Sequence, residues 1–372
     1  MRNGLGVMGA VISGLVLAVA CASSPVRVKD EPSSVIAPDV PSPSPVRKGN
    51  RILGIDTNAA EDNNFDAAFR ATKSAGAQVV SLSINWNDVE KTPGKFAPNP
   101  NWLAVANAYY APRKTPLSLV LRPMDTNGRQ TPRDLARTKF DDPAMIEQFK
   151  ALTDYVFTQI PDLQLVSLAL GNEVDLGIGK NETLWKEYEV FYREAARHVK
   201  DKHPNVKVGV VATLYGLTRR YRSQLEALNR SSDIVLVTYY PLNDDLTVKD
   251  PSVVPGEIEE LLKLYPGRTI YFTEAGYPSS TVVKSSLEKQ RQFIKEIFLV
   301  WDRHPSQIGM IMFSWLTDSS PQSLELFKKY YRFADPRFVE FLRSLGLRTY
   351  PGSGTDKPAF EALKTEAKRR GW

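Results

Sequence analysis

Short apolar runs alternate with amphipathic helical patterns from Arg51 onward, and this alternation limits the possible folds more than any other feature of the sequence. Runs that are apolar throughout indicate strands buried on both faces, as in a parallel sheet covered by helices. Eight strand–helix units predict an α/β fold, a single (β/α)₈ TIM barrel. A doubly wound open sheet is the alternative, but no phosphate-binding glycine loop follows the first run. The runs are 52–55, 78–84, 117–121, 165–170, 207–211, 233–238, 269–273 and 308–313.

The first twenty residues are typical of an export signal. Arg2 supplies a positive charge, and the uncharged stretch 5–20 is shorter than the about 20 apolar residues that a membrane-spanning helix needs. Residues 17–21, Leu-Ala-Val-Ala-Cys, resemble a bacterial lipobox, although Ala18 stands where the common pattern has leucine. We therefore expect export and a lipid anchor at Cys21, in the bacterial cell envelope at the outer membrane or cell surface. A plain secretory signal, with a secreted product, is the alternative.

Three segments follow from this pattern: a lipoprotein-type signal peptide at 1–20, a tether at 21–50 and a barrel domain at 51–372. The tether is rich in Pro, Ser and Val, a composition that cannot bury a core and stays extended. Cys21 is the only cysteine, so no disulfide can form within the chain. Residues 4–9 match the glycine spacing of a dinucleotide-binding loop, but no strand precedes them, which excludes that function.

Charge and histidine placement exclude several classes of protein. The chain has 48 basic and 42 acidic residues, a mild excess without a basic stripe, so we expect no binding to nucleic acid. We also expect a monomer. His198, His203 and His304 fall near the ends of predicted helices and away from strand ends. This weakens Ser-His-Asp catalysis and histidine-ligated metal sites, and we expect no metal and no cofactor. Carboxylates remain as the candidates for proton transfer, with tyrosine as a helper.

Polar and aromatic residues follow the apolar runs, at the strand ends where a barrel carries its chemistry. Two carboxylates are the groups that acid/base and nucleophilic work on a glycosidic bond needs. Aromatic rings stack on pyranose rings, and amides and carboxylates bond the hydroxyls, so this set is typical of a sugar site. The residues are Asp56, Asn85, Trp86, Arg122, Asn172, Glu173, Tyr239, Tyr240, Glu274 and Trp315.

Two short motifs contain the glutamates. Gly171-Asn-Glu-Val174 and Thr273-Glu-Ala-Gly-Tyr-Pro-Ser279 resemble the catalytic motifs of clan A glycoside hydrolases, whose acid/base ends strand four and whose nucleophile ends strand seven. The run count places the glutamates on the fourth and seventh runs independently. The motifs and residues 233–241 are most similar to endo-β-1,3-glucanases and endo-β-1,4-galactanases. Residues 84–96 are instead similar to cellulase- and galactosidase-like members of the clan.

The resemblance implies a retaining mechanism with a covalent glycosyl-enzyme. Glu274 would be the nucleophile, and Glu173 would be the acid/base that protonates the leaving oxygen and later deprotonates water. Asn172 would bond the sugar 2-hydroxyl, and Trp315 would form the floor on which that sugar stacks. Repulsion from ionised Glu274 would help raise the pKa of Glu173.

Four other strand-end residues are candidates for the substrate site, and each could instead have a structural role. Tyr240 and Arg122 are candidate donors to the nucleophile, although Tyr240 could serve a turn and Arg122 could pair with Asp125. Trp86 and Asp56 are candidate contacts for neighbouring sugars, and either tryptophan of the set could instead pack in the core. Asn172 could also cap a loop.

The sequence thus predicts a hydrolase of β-linked poly- or oligosaccharides. A transglycosylase using the same site and a non-catalytic carbohydrate-binding envelope lipoprotein are the alternatives.

Overall fold

Eight parallel strands form the centre of the fold, and they confirm the predicted barrel. Strands one, four and eight have the predicted bounds, and the fifth is divided into two pieces around Val210. The strands are β1 Ile52–Ile55, β2 Val80–Asn85, β3 Leu117–Arg122, β4 Leu165–Leu170, β5 Val208–Gly209 and Val211–Thr213, β6 Val235–Tyr239, β7 Ile270–Ala275 and β8 Ile308–Phe313.

The strand pairings close the barrel. The order β1-β8-β7-β6-β5 continues through the first piece of β5 into β4-β3-β2. A parallel bridge between Gly54 and Val79 then links β1 to β2, where Gln78 N donates to Leu53 O at 2.7 Å. Every strand therefore has two neighbours, and no edge is left open among the eight.

Helices cover the outside of the barrel through their apolar faces. In α9, Ser286 accepts a hydrogen bond from Lys289 N at 3.1 Å and caps the first turn, and the helix buries Phe293, Ile297 and Trp301. The helices are α1 Phe65–Ser74, α2 Trp86–Val89, α3 Trp102–Tyr110, α4 Pro143–Gln159, α5 Val174–Ile178, α6 Glu182–Lys202, α7 Arg222–Asn229, α8 Val254–Leu264, α9 Leu287–Arg303, α10 Pro321–Tyr331, α11 Pro336–Arg343 and α12 Pro358–Arg370.

Side chains fill the inside of the barrel. Tyr271, Met310 and Met312 belong to a buried cluster that is separate from the layer between strands and helices. Gly54 belongs to this packing, because a Cβ atom there would lie 2.5 Å from the sulfur of Met312. The lower barrel is thus a packed core, which leaves the carboxyl ends of the strands for chemistry.

The structure is a computed structural model that describes residues 45–372; the predicted export signal, Cys21 and most of the tether lie outside the described residues. The last residues of the predicted tether belong to the folded part. Arg51 Nη2 donates to Val46 O at 2.6 Å, and Lys48 N donates to Arg370 O at 2.9 Å. Among residues 45–372, no helix has the length and apolar character that crossing a membrane requires.

Candidate active site

Glu173 lies just beyond β4 and is fully buried. Its carboxyl accepts hydrogen bonds from Thr238 Oγ1 at 2.6 Å and from Thr126 Oγ1 at 2.8 Å. The backbone at Glu173 is left-handed, with φ of 40° and ψ of 47°, a conformation that is uncommon for a residue with a side chain and that recurs at functional sites. Gly171 makes this turn possible, because its φ is +107° and a Cβ there would meet Tyr188 Oη at 2.3 Å.

Glu274 lies within β7 and is 6% exposed. Tyr240 Oη donates to Glu274 Oε2 at 2.6 Å. A register shift in the pairing of β6 with β7 places Thr238 opposite Glu274, so the residue that bonds Glu173 is the strand partner of Glu274. The glycine of the second motif is also explained, because a Cβ at Gly276 would lie 2.6 Å from the Tyr240 ring.

The two carboxyl groups influence each other. Burial raises the pKa of Glu173 well above its ordinary value, and the negative charge of Glu274 raises it further. The charge of Asp175 acts in the same direction, whereas the two threonine hydroxyls oppose it. Glu173 therefore holds its proton at a pH at which an ordinary glutamate has lost it. Burial and the charge of Glu274 also raise the pKa of Tyr240, which keeps that hydroxyl protonated as a donor.

Asp125 joins several predicted site residues, although the sequence offered it only as a structural partner of Arg122. The carboxylate forms an ion pair with Arg122 at 3.2 Å and accepts from Asn172 Nδ2 at 2.9 Å. Thr126 N donates to the same carboxylate at 2.9 Å, and Tyr330 Oη donates to it as well. Since Thr126 also bonds Glu173, this network holds Asn172 and the acid/base candidate in one rigid unit.

Trp315 and Asp56 lie together where β8 and β1 end. The Trp315 ring stacks on Phe327, with centroids 5.6 Å apart and planes 14° apart, and a cis peptide bond precedes it. Asp56 accepts a hydrogen bond from Ser81 Oγ at 2.6 Å. Burial raises the pKa of Asp56 to about 6, and the Ser81 hydroxyl and the nearby Trp315 indole oppose this rise.

Trp86 does not join Glu173 and Glu274 in the candidate site. Its indole Nε1 donates to Glu90 Oε2 at 2.7 Å, and its ring packs edge-on against Phe149 of α4 at 5.0 Å. Because both contacts lie in the layer between β2 and the helices, Trp86 takes the core position that the sequence left as the alternative. The three histidines lie on or at the ends of the outer helices, as predicted. Within residues 45–372 no group of three metal-ligating side chains is found.

Helix α10, between β8 and α12, contributes site residues that sequence reasoning missed. Phe327 covers Trp315, and Tyr330 bonds Asp125. Burial raises the pKa of Tyr331, and the charges of Asp125 and Glu173 raise it further. The signal in the sequence was aromatic residues spaced three and four apart, which place their rings on one face of a helix.

A cavity of about 540 Å³ lies beside the glutamates, above β5 and β6. Thr238 and Tyr240, which bond the two glutamates, are among its lining residues. Its volume is in the range of small-molecule sites.

Solved structures resemble the chain in fold. The exo-β-1,4-mannosidase Op5Man5 of Opitutaceae bacterium strain TAV5 has a TM-score of 0.65 at 16% identity, covering 89% of this chain and 62% of that one. A GH5_18 variant from Streptomyces cattleya, solved with Manβ1-4GlcNAc, also has a TM-score of 0.65 at 16% identity, and the match covers 86% of this chain and 80% of that one. The β-glucosidase of Thermotoga maritima, solved with deoxynojirimycin, has a TM-score of 0.61 at 10% identity, and the match covers 88% of this chain and 100% of that one. No protein-family model and no curated protein sequence matches the chain.

These TM-scores establish the (β/α)₈ barrel fold. Because the sequence identities are only 10–16%, the likenesses show the fold and nothing finer. The neighbours are glycoside hydrolases, which is the class that the two glutamate motifs resemble. The finer similarity to endo-β-1,3-glucanases and endo-β-1,4-galactanases stays a prediction.

Proposed function

We propose that the protein is a retaining β-glycoside hydrolase that acts by double displacement. The observation that supports this most is the placement of two buried carboxyl groups around Thr238. Glu173 accepts a hydrogen bond from its hydroxyl, and Glu274 is its partner in the neighbouring strand. One carboxyl has a strongly raised pKa and the other holds a tyrosine donor, as an acid and a nucleophile require.

In the first step a Glu274 carboxylate oxygen bonds the anomeric carbon as the glycosidic C–O bond breaks. Glu173 gives its proton to the leaving oxygen, so the aglycone departs as a neutral alcohol. In the second step Glu173 takes a proton from water, the water oxygen bonds the anomeric carbon, and Glu274 leaves as a carboxylate. Two inversions give net retention of configuration.

Neighbouring groups hold the reactants in place. Tyr240 fixes one oxygen of Glu274 and directs the other towards the sugar. Asn172 is oriented by Asp125, and its second N–H is the donor for the 2-hydroxyl of the reacting sugar. Hydrogen bonds at that hydroxyl strengthen in the transition state of such reactions.

The substrate is a β-linked oligo- or polysaccharide, and we propose that the enzyme removes terminal sugars. Endo action, as in the endo-β-1,3-glucanases and endo-β-1,4-galactanases that the motifs resemble, needs a cleft that is open on both sides of the glutamates. Here α10 covers one side through Phe327 and Tyr330, whereas the cavity opens on the other. A site with one open side favours attack at a chain end.

Aryl β-glycosides of several sugars, together with β-mannan, β-1,4-galactan, β-1,3-glucan and cellulose oligosaccharides, test the proposal. Glu274→Ala should abolish turnover, and azide should restore it with an azido sugar of inverted configuration. Glu173→Ala on an activated aryl glycoside should also be rescued by azide, with retained configuration. Glu296→Ala, on the outer helix α9, is the matched control.

Unchanged activity in Glu274→Ala would refute the proposal. Glycan binding by the wild-type chain without any turnover would instead support the non-catalytic lipoprotein.

We also propose that the protein is exported and anchored by lipid at Cys21, as residues 17–21 predict. Cells fed an alkyne fatty acid should label the wild-type chain but not Cys21→Ser, and the variant should leave the membrane fraction. Mass spectrometry that finds a mature chain with an unmodified Cys21 would contradict the anchor and favour a plain secretory signal.

A further inference from the structure

We infer that the cavity above β5 and β6 binds the sugar on the leaving-group side of the scissile bond, with Tyr215 as its stacking platform. This inference rests on the proposed function and adds to it the residues that recognise the aglycone. Because the leaving-group site of a retaining enzyme also admits acceptors, the same cavity sets the balance between hydrolysis and transglycosylation.

The position of the cavity follows from the acid/base. An acid gives its proton to the leaving oxygen, so the sugar that contains this oxygen has to lie next to Glu173. Thr238 and Asp175 line the cavity, and Thr238 bonds the Glu173 carboxyl at 2.6 Å. Across the barrel mouth, Phe327 and Tyr330 cover the opposite side. The aglycone is therefore directed into the cavity.

Tyr215 lines this cavity and is 53% exposed. The other exposed large hydrophobic side chains of residues 45–372 are all aliphatic. A solvent-facing aromatic ring at a cavity is the group that stacks on the apolar face of a pyranose. Burying such a surface on a sugar stabilises the complex.

The backbone below Tyr215 is held rigidly. Thr213 Oγ1 donates to buried Asp175 at 2.6 Å and accepts from Gly216 N at 2.9 Å. Gly216 packs so closely on this carboxylate that a Cβ would lie 2.3 Å from it. Gly216–Arg220 then forms a π-helical turn, a rare element that is frequent at functional sites. The backbone that bears the ring is therefore already ordered before any sugar arrives, which reduces the entropy lost on binding.

The charges around the cavity favour a neutral sugar. Arg219 pairs with Glu260 at 2.8 Å, and Lys249 pairs with Glu257 at 2.6 Å. The charged residues of the lining are three basic ones, Arg219, Arg220 and Lys249, and four acidic ones, Asp175, Asp244, Glu257 and Glu260. Because the lining has no excess of positive charge and two of its cations have anionic partners, the cavity suits N–H and carboxylate hydrogen bonds to sugar hydroxyls better than an ion pair with a uronic acid. We therefore expect an aglycone of neutral β-linked sugars.

The same contacts would bind an acceptor. After the glycosyl-enzyme has formed, a sugar hydroxyl in the cavity loses its proton to Glu173, and its oxygen bonds the anomeric carbon. Glu274 then leaves as a carboxylate, so the product is a longer glycan and no water is consumed.

Calorimetry on the full chain with Glu274→Ala tests the inference apart from turnover. Neutral oligosaccharides of two to four units (manno-, cello-, laminari- and galacto-series) should include a binder. Adding Tyr215→Ala should weaken its affinity about tenfold, whereas Val105→Ala, at an exposed site on α3, should not change it. In the chain that retains Glu274, Tyr215→Ala should also lower the ratio of transfer to hydrolysis products.

Three results would overturn the inference. Equal affinity with and without Tyr215 would place the sugar elsewhere. Hydrolysis of aryl β-glycosides by a chain that binds none of the oligosaccharides would refute the cavity site and leave the proposed function intact. If the Glu274→Ala chain binds none of the oligosaccharides and the wild-type chain turns over no substrate, the cavity site and the proposed function are both refuted.

Discussion

Replacing Thr238 by Val should raise the pKa of Glu173. The two side chains have nearly the same shape, but valine has no hydroxyl. Glu173 is fully buried, and its Oε1 accepts from Thr238 at 2.6 Å while its Oε2 accepts from Thr126. The Thr238 hydroxyl favours the ionised carboxylate and opposes the effects of burial and of Glu274. Without it, the pKa rises further above its ordinary value.

The size of the effect follows from the two states of the carboxyl group. A hydrogen bond to an ionised group contributes about 1.5–3 kcal/mol, and one between neutral groups about 0.5–1.5 kcal/mol. The variant loses this bond in both states of the carboxyl group. The difference between the two losses disfavours the ionised form by about 1–1.5 kcal/mol relative to the protonated form. At about 1.4 kcal/mol per pKa unit, the pKa of Glu173 should rise by about one unit.

A ¹³C NMR titration of the Glu173 carboxyl carbon measures this change without a substrate, with Glu173→Gln to assign the signal. The upper limb of the pH–activity profile should move to higher pH by the same amount. Thr72→Val is the matched control, because that hydroxyl is buried in α1 and bonds Phe69 O at 2.8 Å. An unchanged or lowered pKa in Thr238→Val would show that the hydroxyl does not tune the acid/base.

Three further variants test burial, packing and ion pairing. The pKa of Asp56 is raised from 3.8 to about 6, so its contribution to stability is full below pH 3.8 and is lost as the pH rises to about 6. Between pH 4 and 6.5, the free energy of unfolding from urea titrations should fall by about 2 kcal/mol more in the wild type than in Asp56→Asn. Gly276→Ala should displace the Tyr240 ring, which would lie 2.6 Å from the new Cβ, and lower kcat at least tenfold with unchanged circular dichroism. Asp302→Asn should cost about 3–5 kcal/mol of stability and lower Tm, because it removes the carboxylate that pairs with buried Arg370 at 2.7 Å, while the activity per folded molecule stays unchanged.

The barrel could be predicted because burial on both faces imposes a simple pattern. All eight apolar runs became strands, and the bounds of β1, β4 and β8 agree with the prediction. Differences arise where polar residues belong to a strand: β3 continues to Arg122, and β7 includes Glu274. A pattern of hydrophobicity ends a strand too early at the point where the site begins, because functional side chains there are polar although buried.

Contacts between distant segments could not be predicted. Trp86 follows β2 as a sugar-stacking residue would, but its indole donates to Glu90, and this bond holds the ring in the core. Tyr330 bonds Asp125, which lies 205 residues earlier in the chain, and nothing local to either residue indicates the pairing. Strand-end position thus locates the two glutamates in the fold, whereas the cover provided by α10 depends on tertiary packing.

The partners of the two glutamates distinguish their proposed roles without reference to the sequence motifs. Threonine hydroxyls bond both oxygens of Glu173, and a hydroxyl can donate to a carboxylate or accept from a protonated carboxyl group. A cation in their place would lower the pKa of Glu173 and oppose its use as an acid. Tyr240, whose pKa is raised, retains its proton and donates to Glu274. Hydroxyl partners that fit both protonation states suit Glu173, which exchanges a proton twice in each turnover. A permanent donor suits Glu274, which stays a carboxylate until it bonds carbon.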